Sequence, residues 1–338
     1  MPHTNLVEVT RGGIVESRHA GALAVVDADG ACVAALGDID RRVFPRSAVK
    51  ALQALVLMET GAAQRFGFGD AEIALAVASH SGEPRHAETS LSMLKRAGFD
   101  GRCLECGAHW PLGEAATRAL AASGGAPTAL HNNCSGKHAG FVCAAVTMGV
   151  DPAGYVRPEH PLQRAVTAAL ETSLGLSLAD APRGVDGCAI PTYAIPLKAL
   201  AHGFARFGTG LGYAPARAKA AARIRQAVAA EPFMVAGSGR FDTDVMRVLG
   251  ARAFVKTGAE GVYCAALPEK GLGVALKIDD GATRASTAVM ASIIARCLDL
   301  NADERAVIDA AVEAPLKNWN GTEVGRVRPS PALAALKF

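Results

Sequence analysis

Aromatic residues make up only 5% of the 338-residue chain, with two tryptophans and four tyrosines. Stacked rings cannot fill a core at that level. Aliphatic and small side chains must do so, and half of the residues are hydrophobic. Long apolar runs are missing too: no apolar run approaches the ~18 residues that a membrane span requires. The N-terminal stretch Met1-Pro-His-Thr-Asn-Leu-Val-Glu8 lacks a basic segment followed by an apolar one, so no secretory signal is expected. These absences predict a cytosolic protein with no membrane partner. In that reducing compartment the eight cysteines read as thiols or metal ligands rather than disulfides. The Asn-x-Ser/Thr sequons at Asn133 and Asn320 then carry no meaning. Charge of either sign is not in excess: the net value of +3 is too small to argue for nucleic acid or an anionic surface. The densest basic run, Arg217, Lys219, Arg223 and Arg225, lies in an alanine-rich helical stretch and reads as a solvated helix face. Repeats, low-complexity tracts and Gly/Ser linkers are also absent, which leaves one large domain or two intimately joined ones.

The order of elements is more informative. Residues 21–27 and 31–36 are small or β-branched runs around the turn Asp27-Ala-Asp-Gly30, a hairpin signal. Arg11-Gly-Gly-Ile-Val-Glu16 before them reads as a short strand or tight loop. Helical periodicity follows at 47–59, 87–96, 114–122, 137–148, 161–174, 197–206, 215–230 and 242–249. The run 71–78 is too short for period to decide. Strands return at 253–256, 261–267 and 272–278, and a long helix is predicted at 285–298. Strands from both ends can thus form one antiparallel sheet, with a sheet lobe of about 1–45 and 250–338 and a helical lobe of about 46–249.

Chemistry concentrates at a few places. Ser47 and Lys50 stand three apart at the start of an apolar-periodic run, which puts hydroxyl and amine on one helix face. A serine hydroxyl needs a base to become a nucleophile, and a lysine serves only if desolvation keeps it neutral. The spacing S-x-x-K is the first signature of serine β-lactamases and penicillin-binding proteins, and alone it arises often by chance. Lys256-Thr257-Gly258 at the end of a late predicted strand supplies the K-T-G that accompanies it in that architecture. Three loops add polar groups: Ala78-Ser-His-Ser-Gly-Glu83, Asn132-Asn-Cys-Ser-Gly-Lys-His138 and Val185-Asp-Gly-Cys-Ala-Ile-Pro191. The second leads into a helix, whose first N–H groups favour an anion such as a carboxylate.

In this order, Arg46-Ser-x-x-Lys50, Ala78-Ser-His-Ser81, Asn133-Cys-Ser-Gly-Lys-His138, Asp186-Gly-Cys188, Val235-Ala-Gly-x-Gly-Arg240 and Lys256 resemble the asparaginase II family, the Rhizobium etli type of L-asparaginase. The resemblance runs from Arg11 to at least Ile278. It implies an α/β (α+β) fold like the serine β-lactamases, penicillin-binding proteins and glutaminases, and hydrolysis of L-asparagine through an acyl-enzyme. It further implies two Ser-Lys tandems, with Ser47 as nucleophile, Lys50 as its activator, and Ser79 with Lys256 as the second pair. Cys134, Lys137 and Cys188 match a zinc site, with Asp186 close by, and Arg46, His138, Asp186 and Ser135 match the substrate pocket. A zinc-bound lysine must be neutral, which is chemically unusual. A homodimer is expected from the family. A glutaminase, a β-lactamase or D,D-peptidase, and a non-catalytic zinc-stabilised binding protein are the alternatives. The missing signal peptide counts against the cell-wall enzymes.

Three lookalikes are set aside. Cys103-Leu-Glu-Cys106 with His109 is half a zinc knuckle without its second half. Gly208-Thr-Gly-Leu-Gly212 follows a helix rather than the strand that a dinucleotide loop requires. Cys32, Cys143, Cys264 and Cys297 sit in apolar runs and read as buried small residues.

Overall fold

The computed structural model describes residues 3–338. Met1 and Pro2, at the head of the stretch read for a signal, lie outside the described residues. The chain forms two compact units. The first runs to Ala48 and takes up Ala194–Leu211 and Val248–Phe338; the second comprises Val49–Tyr193 and Gly212–Arg247.

The first unit is built on an eight-stranded, wholly antiparallel sheet. Its strands are Thr4–Arg11 (β1), Ile14–Asp27 (β2), Cys32–Leu36 (β3), Phe254–Thr257 (β4), Val262–Leu267 (β5), Leu272–Ile278 (β6), Ala314–Lys317 (β7) and Glu323–Pro329 (β8). They lie in the order β7-β8-β1-β2-β6-β5-β4, with β3 paired to β2. The 14-residue β2 carries β1 along its first half and β3 along its second. The β2–β3 turn closes because Asp27 Oδ1 accepts the Asp29 and Ala31 N–H groups. The first and last strands are neighbours, Val7 facing Pro329 and Val9 facing Val327. The strands β7 and β8 carry no clear strand pattern in the sequence, because their half-exposed residues alternate with charges and prolines.

Every residue of β5 is buried, so both faces of the sheet are covered there. The helices Leu197–Thr209 and Thr283–Cys297 cover it. The first lies so close that a Cβ on Gly273 would sit 2.0 Å from Ala201 O, which demands glycine in that strand. Ala194–Leu211 therefore belongs to the sheet unit, although the sequence places it in the helical lobe. Three of the scarce aromatics meet here: Phe254 lies 6.1 Å from Phe204 and 5.2 Å from Phe207. Burying each such side chain stabilises the fold by ~1.5–3 kcal/mol.

The second unit is helical. Its centre is Ser135–Thr147, buried without a break from Ser135 to Ala145. A helix buried all round needs small and apolar residues on every face, and Gly136, Ala139, Gly140, Ala144 and Ala145 provide them. The run left undecided by period is a helix, Asp70–Ala76. The helix predicted over 47–59 is broken: a 3-10 turn Arg46–Val49 leads into Lys50–Gln53, and Ala54 separates this from Leu55–Glu59. Among the cysteines read as buried, Cys143 and Cys264 are so, but Cys32 is exposed at an edge strand and Cys297 only half-buried. The basic run Arg217–Arg225 does not simply face water, since Arg217 clasps Glu59 and Arg223 pairs with Asp70. No helix among the described residues is long and apolar enough to cross a membrane.

Candidate active site

In the sheet unit, Ser47 is half-buried in the 3-10 turn, which Ala48 N–H closes on Pro45 O at 3.0 Å. The residue before it, Arg46, has φ +51°, a left-handed conformation that costs a non-glycine residue about 1–2 kcal/mol. Lys256 on β4 is wholly buried, and its Nζ donates to Thr257 O at 2.7 Å. A Cβ on Gly258 would lie 2.6 Å from Pro45 O and 3.1 Å from Ala48 N. The end of β4 is thus pressed against the backbone that carries Ser47, and the glycine of Lys256-Thr257-Gly258 permits the approach.

In the helical unit, Lys50 is wholly buried at a helix start. Its Nζ donates to Ala78 O at 2.5 Å, to Ser79 Oγ at 2.9 Å and to Cys134 Sγ at 3.1 Å. A lysine ammonium has three hydrogens, and all three have acceptors. Ser79, assigned by resemblance to Lys256, is therefore a hydrogen-bond partner of Lys50.

Cys134 and Cys188 are buried together with Lys137, whose Nζ lies 3.0 Å from Cys188 Sγ. The hydrogen bond from Cys188, aided by Lys50 and Lys137, outweighs burial and holds Cys134 well below the ordinary thiol range. Cys188 is raised, first by that same bond and then by burial, so it remains the thiol of the pair. Burial alone would lower Lys137, but Cys188, Cys134 and Asp186 overcome it and push the ammonium up to about 12. Asp186 stands at the tip of the hairpin Arg183–Val185/Pro191–Tyr193, with Asp186 N–H on Ile190 O and Ala189 N–H on Asp186 O. Ala189 takes φ +73° to complete this turn.

A zinc ion held here would take the sulfurs of Cys134 and Cys188 and the nitrogen of Lys137. Bond lengths of 2.0–2.3 Å to nitrogen and sulfur put tetrahedral neighbours roughly 3.5 Å apart, so the 3.0 Å Lys137–Cys188 contact would have to open. Binding would displace one proton from the Cys188 thiol and one from Lys137. No cluster of three or more His, Cys, Asp or Glu among the described residues is placed to hold a metal, so such a site depends on the lysine.

Surrounding loops hold these groups through contacts that the sequence did not reveal. Asn132 Nδ2 donates to Cys106 O and Gly107 O, and its Oδ1 accepts the Cys134 N–H at 2.8 Å. His109 Nε2 accepts the Asn133 N–H at 3.0 Å. His109 thus braces the Cys134 loop, while burial pushes the Cys103 and Cys106 thiols up to about 11 and 12. His80 accepts the Gly82 N–H on Nδ1, so its proton is on Nε2, facing Ser135 Oγ at 2.9 Å; Ser135 meets Ser90 Oγ at 2.8 Å. Ser135 is thereby engaged inside the protein. His138 Nδ1 meets Tyr155 OH at 2.6 Å, and its buried Nε2 has no hydrogen-bond partner. Burial, then Lys137 and Lys50, lower its basicity well below that of free histidine.

A family model described as L-asparaginase II matches residues 7–329. No curated protein matches the chain. Among solved structures, the chain is similar to a β-lactamase from Mycobacterium bovis at 14% identity, over 86% of this chain and 93% of that one, with a TM-score of 0.38. It is also similar to a D-alanine carboxypeptidase from Burkholderia cenocepacia at 14% identity, over 86% and 92%, with a TM-score of 0.36. Simvastatin synthase from Aspergillus terreus matches at 13% identity over 77% and 86%, with a TM-score of 0.37.

Proposed function

The chain belongs to the L-asparaginase II family, and we propose that it hydrolyses L-asparagine to L-aspartate and ammonia through a serine acyl-enzyme. The observation that carries this reading is the buried Lys50, joined at once to Ser79 and to Cys134. A wholly buried lysine is costly without acceptors for its hydrogens, and buried clusters of titratable and nucleophilic side chains mark functional sites.

Ser47, three residues before Lys50, is the nucleophile. Its Oγ bonds to the side-chain amide carbon while its proton passes to Lys50 Nζ. The C–N bond then breaks, and ammonia departs with that proton. Water attacks the resulting ester, returns a proton to Ser47 Oγ and releases aspartate. Lys50 must be an amine to begin the cycle, yet all three of its donor directions are taken. One proton therefore leaves along an existing contact: Ser79 Oγ at 2.9 Å would take it as its own hydroxyl hydrogen passes on towards the substrate, the Cys134 sulfur being held for zinc. Lys256, in the same unit as Ser47, would polarise the carbonyl. Zinc held by Cys134, Cys188 and Lys137 would act as a Lewis acid that orients the substrate. Arg46, Asp186 and His138 would contact the substrate, and the protein would work in the cytosol as a homodimer.

Ammonia release by zinc-loaded protein offered L-asparagine, L-glutamine or a β-lactam tests the reading. Asparagine should be favoured over glutamine, a discrimination that one methylene supports at ~1–3 kcal/mol, or about 10- to 200-fold. Faster release from glutamine would assign a glutaminase, and opening of the β-lactam without amide hydrolysis would assign a penicillin-directed enzyme.

A further inference from the structure

Tyr155 has no place in the chemistry above, and nothing in its surrounding sequence marks it. It is wholly buried, and its hydroxyl makes two contacts: it accepts the Glu105 N–H at 2.9 Å and meets His138 Nδ1 at 2.6 Å. A phenol has one hydrogen to give, and away from water that hydrogen needs an acceptor. With Glu105 N–H already donating, His138 Nδ1 is the acceptor within reach. Nδ1 then carries no proton and Nε2 carries it. That Nε2 is buried and makes no hydrogen bond within the protein. A buried unmade donor costs ~1–3 kcal/mol, and a ligand oxygen would recover that loss.

We propose that Tyr155 fixes His138 in the Nε2–H form, making it a hydrogen-bond donor to an acceptor oxygen of the bound substrate. Tyr155 is a positioning residue, and His138 reads the carboxylate or carbonyl of the amino acid rather than its amino groups. The inference rests on the amidohydrolase reading for the identity of the ligand and for His138 facing it. The opposite tautomer would make Nε2 an acceptor, suited to a metal ion or a substrate N–H.

The test combines nitrogen NMR of histidine-labelled protein with kinetics, assigning the His138 signals by their loss in His138→Gln. In the wild type, Nδ1 should resonate as the unprotonated nitrogen and Nε2 as the protonated one, and L-aspartate should shift the Nε2–H signal. Tyr155→Phe should mix the tautomers and raise KM for L-asparagine about 3- to 10-fold, with kcat changed less than about threefold. A proton on Nδ1 in the wild type overturns the proposal. So does a Tyr155→Phe variant that loses thermal stability but keeps both tautomer and KM. If Tyr155→Phe does not fold, the wild-type tautomer decides alone. If asparagine is not hydrolysed, the tautomer still reports on Tyr155, while the failed turnover counts against the proposed function.

Discussion

Lys50 sits among three acceptors, Ala78 O, Ser79 Oγ and Cys134 Sγ, and the proposed mechanism assigns the relay of its proton to Ser79. Ser79→Ala should lower kcat about 100-fold or more, the lower range for loss of a proton-transfer partner, with KM moving only a few-fold. Steady-state kinetics check this; an unchanged kcat removes Ser79 from the relay. Ser47, Lys50, Cys134 and Lys137 were legible in the sequence because several short motifs fall in one order along the chain; a three-residue spacing alone is common in helices. The roles of Tyr155, His80, Ser90 and Asn132 carry no such mark. Each acts on a partner reached only by folding, as when His80 meets Ser135 across 55 positions.

At the scale of elements, the hairpin that presents Cys188 carries a strained alanine. Ala189 at φ +73° loses ~1–2 kcal/mol that glycine would not, against ~0.5–1 kcal/mol of extra chain entropy. Ala189→Gly should therefore stabilise the fold by about 0.5–1 kcal/mol in chemical denaturation, and should leave zinc affinity unchanged because the side chain ligates nothing. A destabilised variant would contradict this reading of the turn. Helices with strong edges were legible to the residue. Pro161–Leu174 and Pro215–Ala230 each begin at a proline, which suits a first helical position. The break at Ala54 was not, since Ala51–Met58 holds no glycine or proline and a single polar residue, Gln53, fits a continuous helix.

The molecule as a whole should be sensitive to mild acid. His80 is held well below the ordinary histidine range, by burial first and then by His86 and Lys50. Burial likewise lowers His86, although its bond to Phe233 O opposes the shift. Both lie in the helical unit and stay neutral there, whereas in the unfolded chain each takes up a proton below about pH 6.5. The unfolded state then binds more protons, so stability is full above that pH and falls as pH drops below it, by at most about 1.4 kcal/mol per pH unit for each histidine. Thermal melts from pH 7.5 to 5.5 should show the decline, and His80→Gln should make it shallower; parallel curves would refute the assignment. The joining of both chain ends in one sheet was legible from the order of elements, but the strands after residue 300 were hidden by their half-exposed, charged composition. The proposed serine-borne hydrolysis of L-asparagine is read out in the yield of ammonia and aspartate from zinc-loaded wild type, Ser47→Ala and Cys188→Ala. Equimolar products from the wild type, with a loss of about 1,000-fold or more in Ser47→Ala, are predicted. Absence of ammonia from the wild type, or near-normal turnover by Ser47→Ala alongside loss in Cys188→Ala, would contradict it.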